Sequence, residues 1–184
     1  MLTVSIAIGC GLTRDDFRRA WLIVLDPKRA GFDTRPMTGE ILTGGCQCGR
    51  VRYSVEVANF DAYLCHCRMC QRATGGVSVP FKNVAQAKLH WLWEPDWYHS
   101  SPIAKRPFCA ACGTPLGFQY LDSENCDLTI GSFDDPSRFV PTTNFGVESR
   151  HMAWSHTAEL PTERCDEYAP LVKKWADAGA ATPE

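Results

Sequence analysis

The sequence contains no apolar run approaching the roughly 20 residues a membrane-spanning helix needs. It has no internal repeat, no low-complexity tract and no stripe of basic side chains. Net charge is nearly absent too: 19 Lys and Arg stand against 21 Asp and Glu, a formal charge of −2. These absences argue against a helical span and leave no electrostatic footprint for nucleic acid or an anionic bilayer. Neither is expected as a partner. The mildly apolar start MLTVSIAIGCG lacks a basic segment ahead of it, a poor fit to a secretory leader. The expected compartment is the cytoplasm. Cysteine, by contrast, is plentiful, with ten residues in a chain of 184. In a reducing compartment such thiols stay available as metal ligands.

A chain of this length supports one sizeable core with appendages. Residues 1–36 read as an N-terminal extension outside the working fold. They hold a short helical pattern over Thr13 to Leu25, with Phe17, Trp21, Leu22 and Leu25 at helical spacing, stopped by Asp26-Pro27. The main domain is expected over 37–161 and a C-terminal helix and tail over 162–184. That helix is placed from Arg164 to about Ala178, with Tyr168, Leu171, Val172 and Trp175 on one side and Pro170 in its first turns. Between them the pattern is mainly β. Val51, Tyr53, Val55 and Val57 alternate with Arg50, Arg52, Ser54 and Glu56, the period of a half-buried strand. Ile41-Leu42-Thr43 before it completes a hairpin whose tip carries two cysteines. Further strands are expected at Ala62–Cys65, Val77–Phe81, Leu89–Trp93, Leu116–Tyr120, Leu128–Phe133 and Thr143–Glu148.

The cysteines fall into unequal groups. Cys46-Gln47-Cys48-Gly49 and Cys109-Ala110-Ala111-Cys112-Gly113 each resemble half of a structural zinc site, since a cysteine pair followed by glycine makes a tight knuckle and four thiolates close a tetrahedron. A redox pair would normally accompany a βαβ pattern, which is missing here. The third group, Cys65-His66-Cys67-Arg68-Met69-Cys70, packs three sulfurs into six residues where a strand runs through a turn into a helical start. Three thiolates with a fourth position open to water or substrate would make a catalytic zinc, and a thiol entering there would bind as its thiolate. Alternatively Cys126, His66 or His151 fills the fourth position and closes a second structural site. Iron can replace zinc in either set, though no redox motif favours it. Cys10 and Cys165 have no partners at ligand spacing.

At these residues the sequence resembles the glutathione-dependent formaldehyde-activating enzyme and centromere protein V family. The matching segments are GGCQCGRVRY, CHCRMCQRATG, RPFCAACGTPLGF and LTIGSFDDP, in order, across about residues 40–161. The resemblance implies a β-tent, in which small antiparallel sheets are bridged by a four-cysteine zinc site and flanked by short helices. It also implies two zinc ions per chain, held structurally by Cys46, Cys48, Cys109 and Cys112, and at the substrate site by Cys65, Cys67 and Cys70, which count as the catalytic set. The implied activity is that of a carbon–sulfur lyase of the S-(hydroxymethyl)glutathione synthase type, acting on glutathione and formaldehyde or a related thiol and aldehyde. A non-catalytic glutathione carrier and a structural two-zinc binding module are the alternatives. Arg68, Arg72, Lys105 and Arg106 flank the cysteine motifs. Arg72 and Arg106 are the preferred partners for the carboxylates of glutathione. Trp91, Trp93 and Trp97 are expected to pack rather than to shelve substrate.

Overall fold

The computed structural model describes residues 39–158 and 160–181. The expected helix over Thr13–Leu25, the boundary at residue 36 and Cys10 lie outside them. Of two compact units, the first ends at Arg150 and the second runs from His151. In the first, β1 (Glu40–Gly45), β2 (Arg52–Val57) and β5 (Leu89–Trp93) form an antiparallel sheet in the order β1-β2-β5. The other strands are β3 (Asp61–Cys65), β4 (Val79–Ala85), β6 (Asp96–Ser101), β7 (Ala104–Phe108), β8 (Gly117–Tyr120), β9 (Asn125–Thr129) and β10 (Val140–Phe145). They join as β10-β3-β4-β9-β8-β7-β6. The first unit also carries a short helix, α1 (Arg68–Thr74). The second unit carries α2 (Ala169–Asp177), in which Pro170 falls in the first turn, where a missing N–H costs nothing.

The architecture is mainly β with small sheets and short helices, as the sequence suggests, with one departure from antiparallel pairing. β10 runs parallel to β3, from Val140 opposite Asp61 to Phe145 opposite Cys65. The strand expected at Leu128–Phe133 lies earlier. β9 ends at Thr129, and Ile130–Ser132 make a 3₁₀ turn in which the Ser132 hydroxyl donates to the Thr129 carbonyl at 2.7 Å. The β6–β7 hairpin is not among the expected strands. Pro107 stands opposite Trp97 in it, beyond the Ala104 and Lys105 positions at which β8 pairs with β7.

Tyr53 is the centre of the main core. Fully buried, its ring lies edge-on to Trp91 at 5.5 Å and to Phe133 at 5.6 Å, with Val55, Leu128 and Phe139 in the same cluster. Its hydroxyl is 2.8 Å from Ser132 Oγ, whose own proton goes to Thr129, so Tyr53 donates. Gly44 faces Tyr53 in the β1–β2 register and bridges to Phe133. A Cβ at Gly44 would lie 2.3 Å from the Tyr53 hydroxyl oxygen and 2.4 Å from the Ser132 carbonyl oxygen. Only glycine lets β1 approach both. Gly44→Ala is therefore expected to cost about 3 kcal/mol through overpacking, against about 1 kcal/mol for Tyr53→Phe, which loses one hydrogen bond. Urea unfolding of the two variants checks this. Equal midpoints would contradict the close approach.

Candidate metal centres and thiol site

Two tight turns make the first centre. After β1, the Gly49 amide bonds the Cys46 carbonyl at 3.0 Å and Gly49 takes φ 79°, so the chain reverses and Val51 N–H donates to Cys46 Sγ at 3.2 Å. After β7, the Gly113 amide bonds the Cys109 carbonyl at 2.7 Å with φ 77°. Both glycines occupy the left-handed region that side chains resist. Thr114 joins the knuckles: its hydroxyl accepts from Gln47 N–H at 3.1 Å and lies 3.2 Å from Cys112 Sγ. The sulfurs of Cys46, Cys48, Cys109 and Cys112 all lie within 4.8 Å of one another. Cys46 to Cys48 is 3.6 Å and Cys48 to Cys109 is 3.8 Å, close to the roughly 3.8 Å edge of a tetrahedron with metal–sulfur bonds of about 2.3 Å. This donor set fits a metal ion. Burial disfavours ionisation of Cys112, yet the Thr114 hydroxyl and amide overcome it and bring its pKa down to about 6.

An arginine and an aspartate support this centre. Arg50 Nε donates to Cys109 Sγ at 3.4 Å while its Nη2 pairs with Asp96, whose carboxylate also accepts from Ala110 N–H at 2.8 Å. Arg50 follows the first knuckle directly, but in the sequence it reads only as a polar position of the strand alternation. Asp96 starts the unexpected hairpin and gave no signal.

The second centre is built where β3 ends. Cys65 closes the strand. Cys67 caps α1, its sulfur accepting from Cys70 N–H at 3.4 Å, and the first helical turn brings Cys70 round to the other two. The three sulfurs lie within 4.8 Å of one another, with Cys65 and Cys67 at 3.6 Å. The backbone behind them is pinned. His66 N–H donates to the Phe145 carbonyl at 2.8 Å, and a Cβ on Gly146 would meet Cys67 N at 2.8 Å. The buried Gln71 amide reaches the carbonyls of His66, Val77 and Ser149 at 2.7–3.0 Å. His66 itself is buried with Nε2 2.9 Å from Asn144 Oδ1. Cys126 is buried in the Tyr53 core, where desolvation raises its thiol to about 12. Among the described residues, the cluster consists of these three cysteines. His151 belongs to the second unit.

These sulfurs line a cavity of about 350 Å³, within the usual range of small-molecule sites, about 300–1,000 Å³. Arg106 on β7 reaches into it, 7% exposed, with Nη2 donating to Cys70 Sγ at 3.4 Å and its guanidinium 4.8 Å from the Phe118 ring centroid. The Cys65 thiol bonded to Cys70, and then Arg106, lower Cys70 to about 5, and the same bond raises Cys65. Asp127 also lines the cavity, accepting from Asn83 Nδ2 at 2.8 Å and from Tyr63. Burial raises its carboxyl. Strand alternation explains the placement, since Cys126 points into the core and its neighbour Asp127 the other way. Starting the expected strand at Leu128 hid this acid.

Arg72 is exposed in the last turn of α1 and is not in the cavity wall. Lys105 lies over the Trp97 ring at 4.1 Å, and Arg68 bonds Gln71. Trp91 packs on Tyr53 and Trp97, and none of Trp91, Trp93 and Trp97 lines the cavity.

The glutathione-dependent formaldehyde-activating enzyme family model matches residues 41–149, which include both cysteine clusters. The chain belongs to this family. An uncharacterized lyase of Schizosaccharomyces pombe is 27% identical over 82 residues, 45% of this chain and 60% of that protein. The chain thus spans about three fifths of the length of the curated relative it matches. A Rhodobacter sphaeroides protein of known crystal structure is 23% identical, with a TM-score of 0.47 over 56% of this chain and 99% of that one.

In this formaldehyde-activating family member, Asp96→Asn keeps a hydrogen-bonding side chain but removes the charge that orients Arg50 toward Cys109. Loss of such an outer partner typically weakens metal affinity 10–100-fold. Chelator competition on metal-loaded protein should show that loss for metal held by Cys46, Cys48, Cys109 and Cys112. Unchanged retention would show that the Arg50–Asp96 pair does not support the centre.

Proposed function

We propose that the chain is a zinc-dependent thiol-binding protein acting as a carbon–sulfur lyase, joining and parting a thiol such as glutathione and an aldehyde such as formaldehyde. The observation that carries this reading is the inequality of the two clusters. Four sulfurs close on themselves between two knuckles, whereas three line a cavity beside a buried guanidinium. Cys46, Cys48, Cys109 and Cys112 would hold a structural zinc, and Cys65, Cys67 and Cys70 a second. When bound there, zinc would supply an open position at which an incoming thiol loses its proton near neutral pH.

The chain's own groups do the rest. Arg106 places positive charge against Cys70 and offsets the accumulated thiolate charge, as a charge-assisted hydrogen bond does. The cavity brings sulfur and carbonyl carbon together. In the joining direction a sulfur–carbon bond forms, the carbonyl π pair moves to oxygen, and that oxygen takes up the proton released by the thiol. Asp127, held by Asn83 and Tyr63, offers that hydroxyl an acceptor on the cavity wall. Parting the adduct reverses each movement. Thiols add to aldehydes unaided, so the contribution required is proximity and a deprotonated sulfur.

Cobalt substitution tests the reading. Added glutathione should change the spectrum of one of two bound metals, more strongly as pH rises toward the free thiol's value of about 8.5. Cys70→Ser should abolish the response and Arg106→Lys should weaken it, while Arg72→Ala, on the exposed helix end, should leave it nearly intact. A spectrum indifferent to thiol would remove the substrate site. A response without faster adduct formation or cleavage would make the protein a carrier.

A further inference from the structure

Formaldehyde leaves most of this cavity unexplained. The molecule is little larger than water, whose share of liquid volume is about 30 Å³, and the cavity measures about 350 Å³. Beyond the three sulfurs, the wall is dominated by Met69, Phe81, Ile103, Phe118, Tyr120 and Phe145. Four of these are substantially exposed: Ile103 at 63%, Phe145 at 59%, Met69 at 48% and Tyr120 at 42%. Scattered apolar side chains on a surface need no explanation, but a contiguous set around one opening marks a binding site for something apolar.

Charge narrows the occupant. Glutathione carries two carboxylates and an ammonium group. The ionisable wall groups other than cysteine and tyrosine are Arg106, already bonded to Cys70 and stacked on Phe118, and Asp127, whose carboxylate would repel another. A charged tripeptide body would have to shed its water against aromatic rings without compensating partners. Its place is at the open mouth, with only the sulfur reaching the cysteines. The uncharged member of the substrate pair is the aldehyde.

We propose that the aldehyde handled at this site carries an apolar alkyl or aryl group that lodges among Phe81, Ile103, Phe118 and Phe145, so that the preferred adduct is an S-(1-hydroxyalkyl) thiol larger than the hydroxymethyl one. The proposal rests on the thiol-and-aldehyde reading above. The chemistry is unchanged: the sulfur–carbon bond forms, the carbonyl becomes a hydroxyl carrying the thiol's proton, and no oxidant or reductant takes part.

Stable thioether mimics of the adduct test it on the zinc-loaded protein by calorimetry: S-methyl-, S-butyl-, S-hexyl- and S-benzylglutathione. Affinity should rise about threefold to fourfold for each added methylene, the value of burying one CH₂, and S-benzyl should bind with the longer alkyl members. Ile103→Ala trims the apolar wall without adding a charge. It should reduce the ratio of S-hexyl to S-methyl affinity severalfold. Hexanethiol is tested alongside. If glutathione perturbs the cobalt spectrum but affinity is flat across the thioethers, the inference fails and the thiol reading stands. If hexanethiol binds tightly while glutathione and its thioethers do not, the apolar group belongs to the thiol and the aldehyde assignment is overturned. If no thiol or thioether binds, both readings fall.

Discussion

Seven sulfurs held in two groups, those of each group within 4.8 Å of one another and with Cys46–Cys48, Cys48–Cys109 and Cys65–Cys67 at 3.6–3.8 Å, are the constraint to which the rest of the first unit conforms. Thiolates so close repel one another strongly where water is thin, so their approach has to be supported by counter-charge, by hydrogen bonds and, on the reading proposed above, by a cation. Guanidinium groups answer this at each centre, Arg50 at Cys109 and Arg106 at Cys70. Backbone amides supply more, from Val51 to Cys46 and from Cys70 to Cys67. The strands bring distant parts of the chain to these points.

The two centres share one strand. β7 sends Arg106 into the cavity, and the chain then passes straight into the second knuckle at Cys109. The β6–β7 pairing fixes both at once: Trp97 and Tyr98 stand opposite Pro107 and Arg106, and Asp96 opposite Phe108 anchors Arg50 and the Ala110 amide. The parallel strand β10 and the glycine that follows it do the corresponding work behind the three-cysteine centre, with Asn144, Phe145 and Gly146 close against His66 or Cys67.

The site was legible in the sequence where chemistry is carried by local spacing. Cysteines two or three residues apart, closed by glycine, announce knuckles, and six residues holding three sulfurs announce a cluster. The period-two pattern of Val51 to Val57 likewise located the strand that buries Tyr53. What escaped depends on pairings far apart in the chain. Asp96 matters because of Arg50, 46 residues earlier. Arg106 and Arg72 look alike as basic residues near cysteines, and only the β7 register separates a cavity wall from an exposed helix end. Asp127 lay in a strand whose start was placed too late. The apolar rim comes from four separate segments, none of which carries a pattern that points to a common opening.

The central claim is that one metal is closed by sulfur and the other is not, and sulfur coordination at the zinc edge measures this directly. X-ray absorption on the zinc-loaded protein should give two zinc per chain with an average of about 3.5 sulfur neighbours at about 2.3 Å. Adding glutathione should raise that average to about 4. Four sulfurs on average before any thiol is added, or a single zinc per chain, would contradict the account.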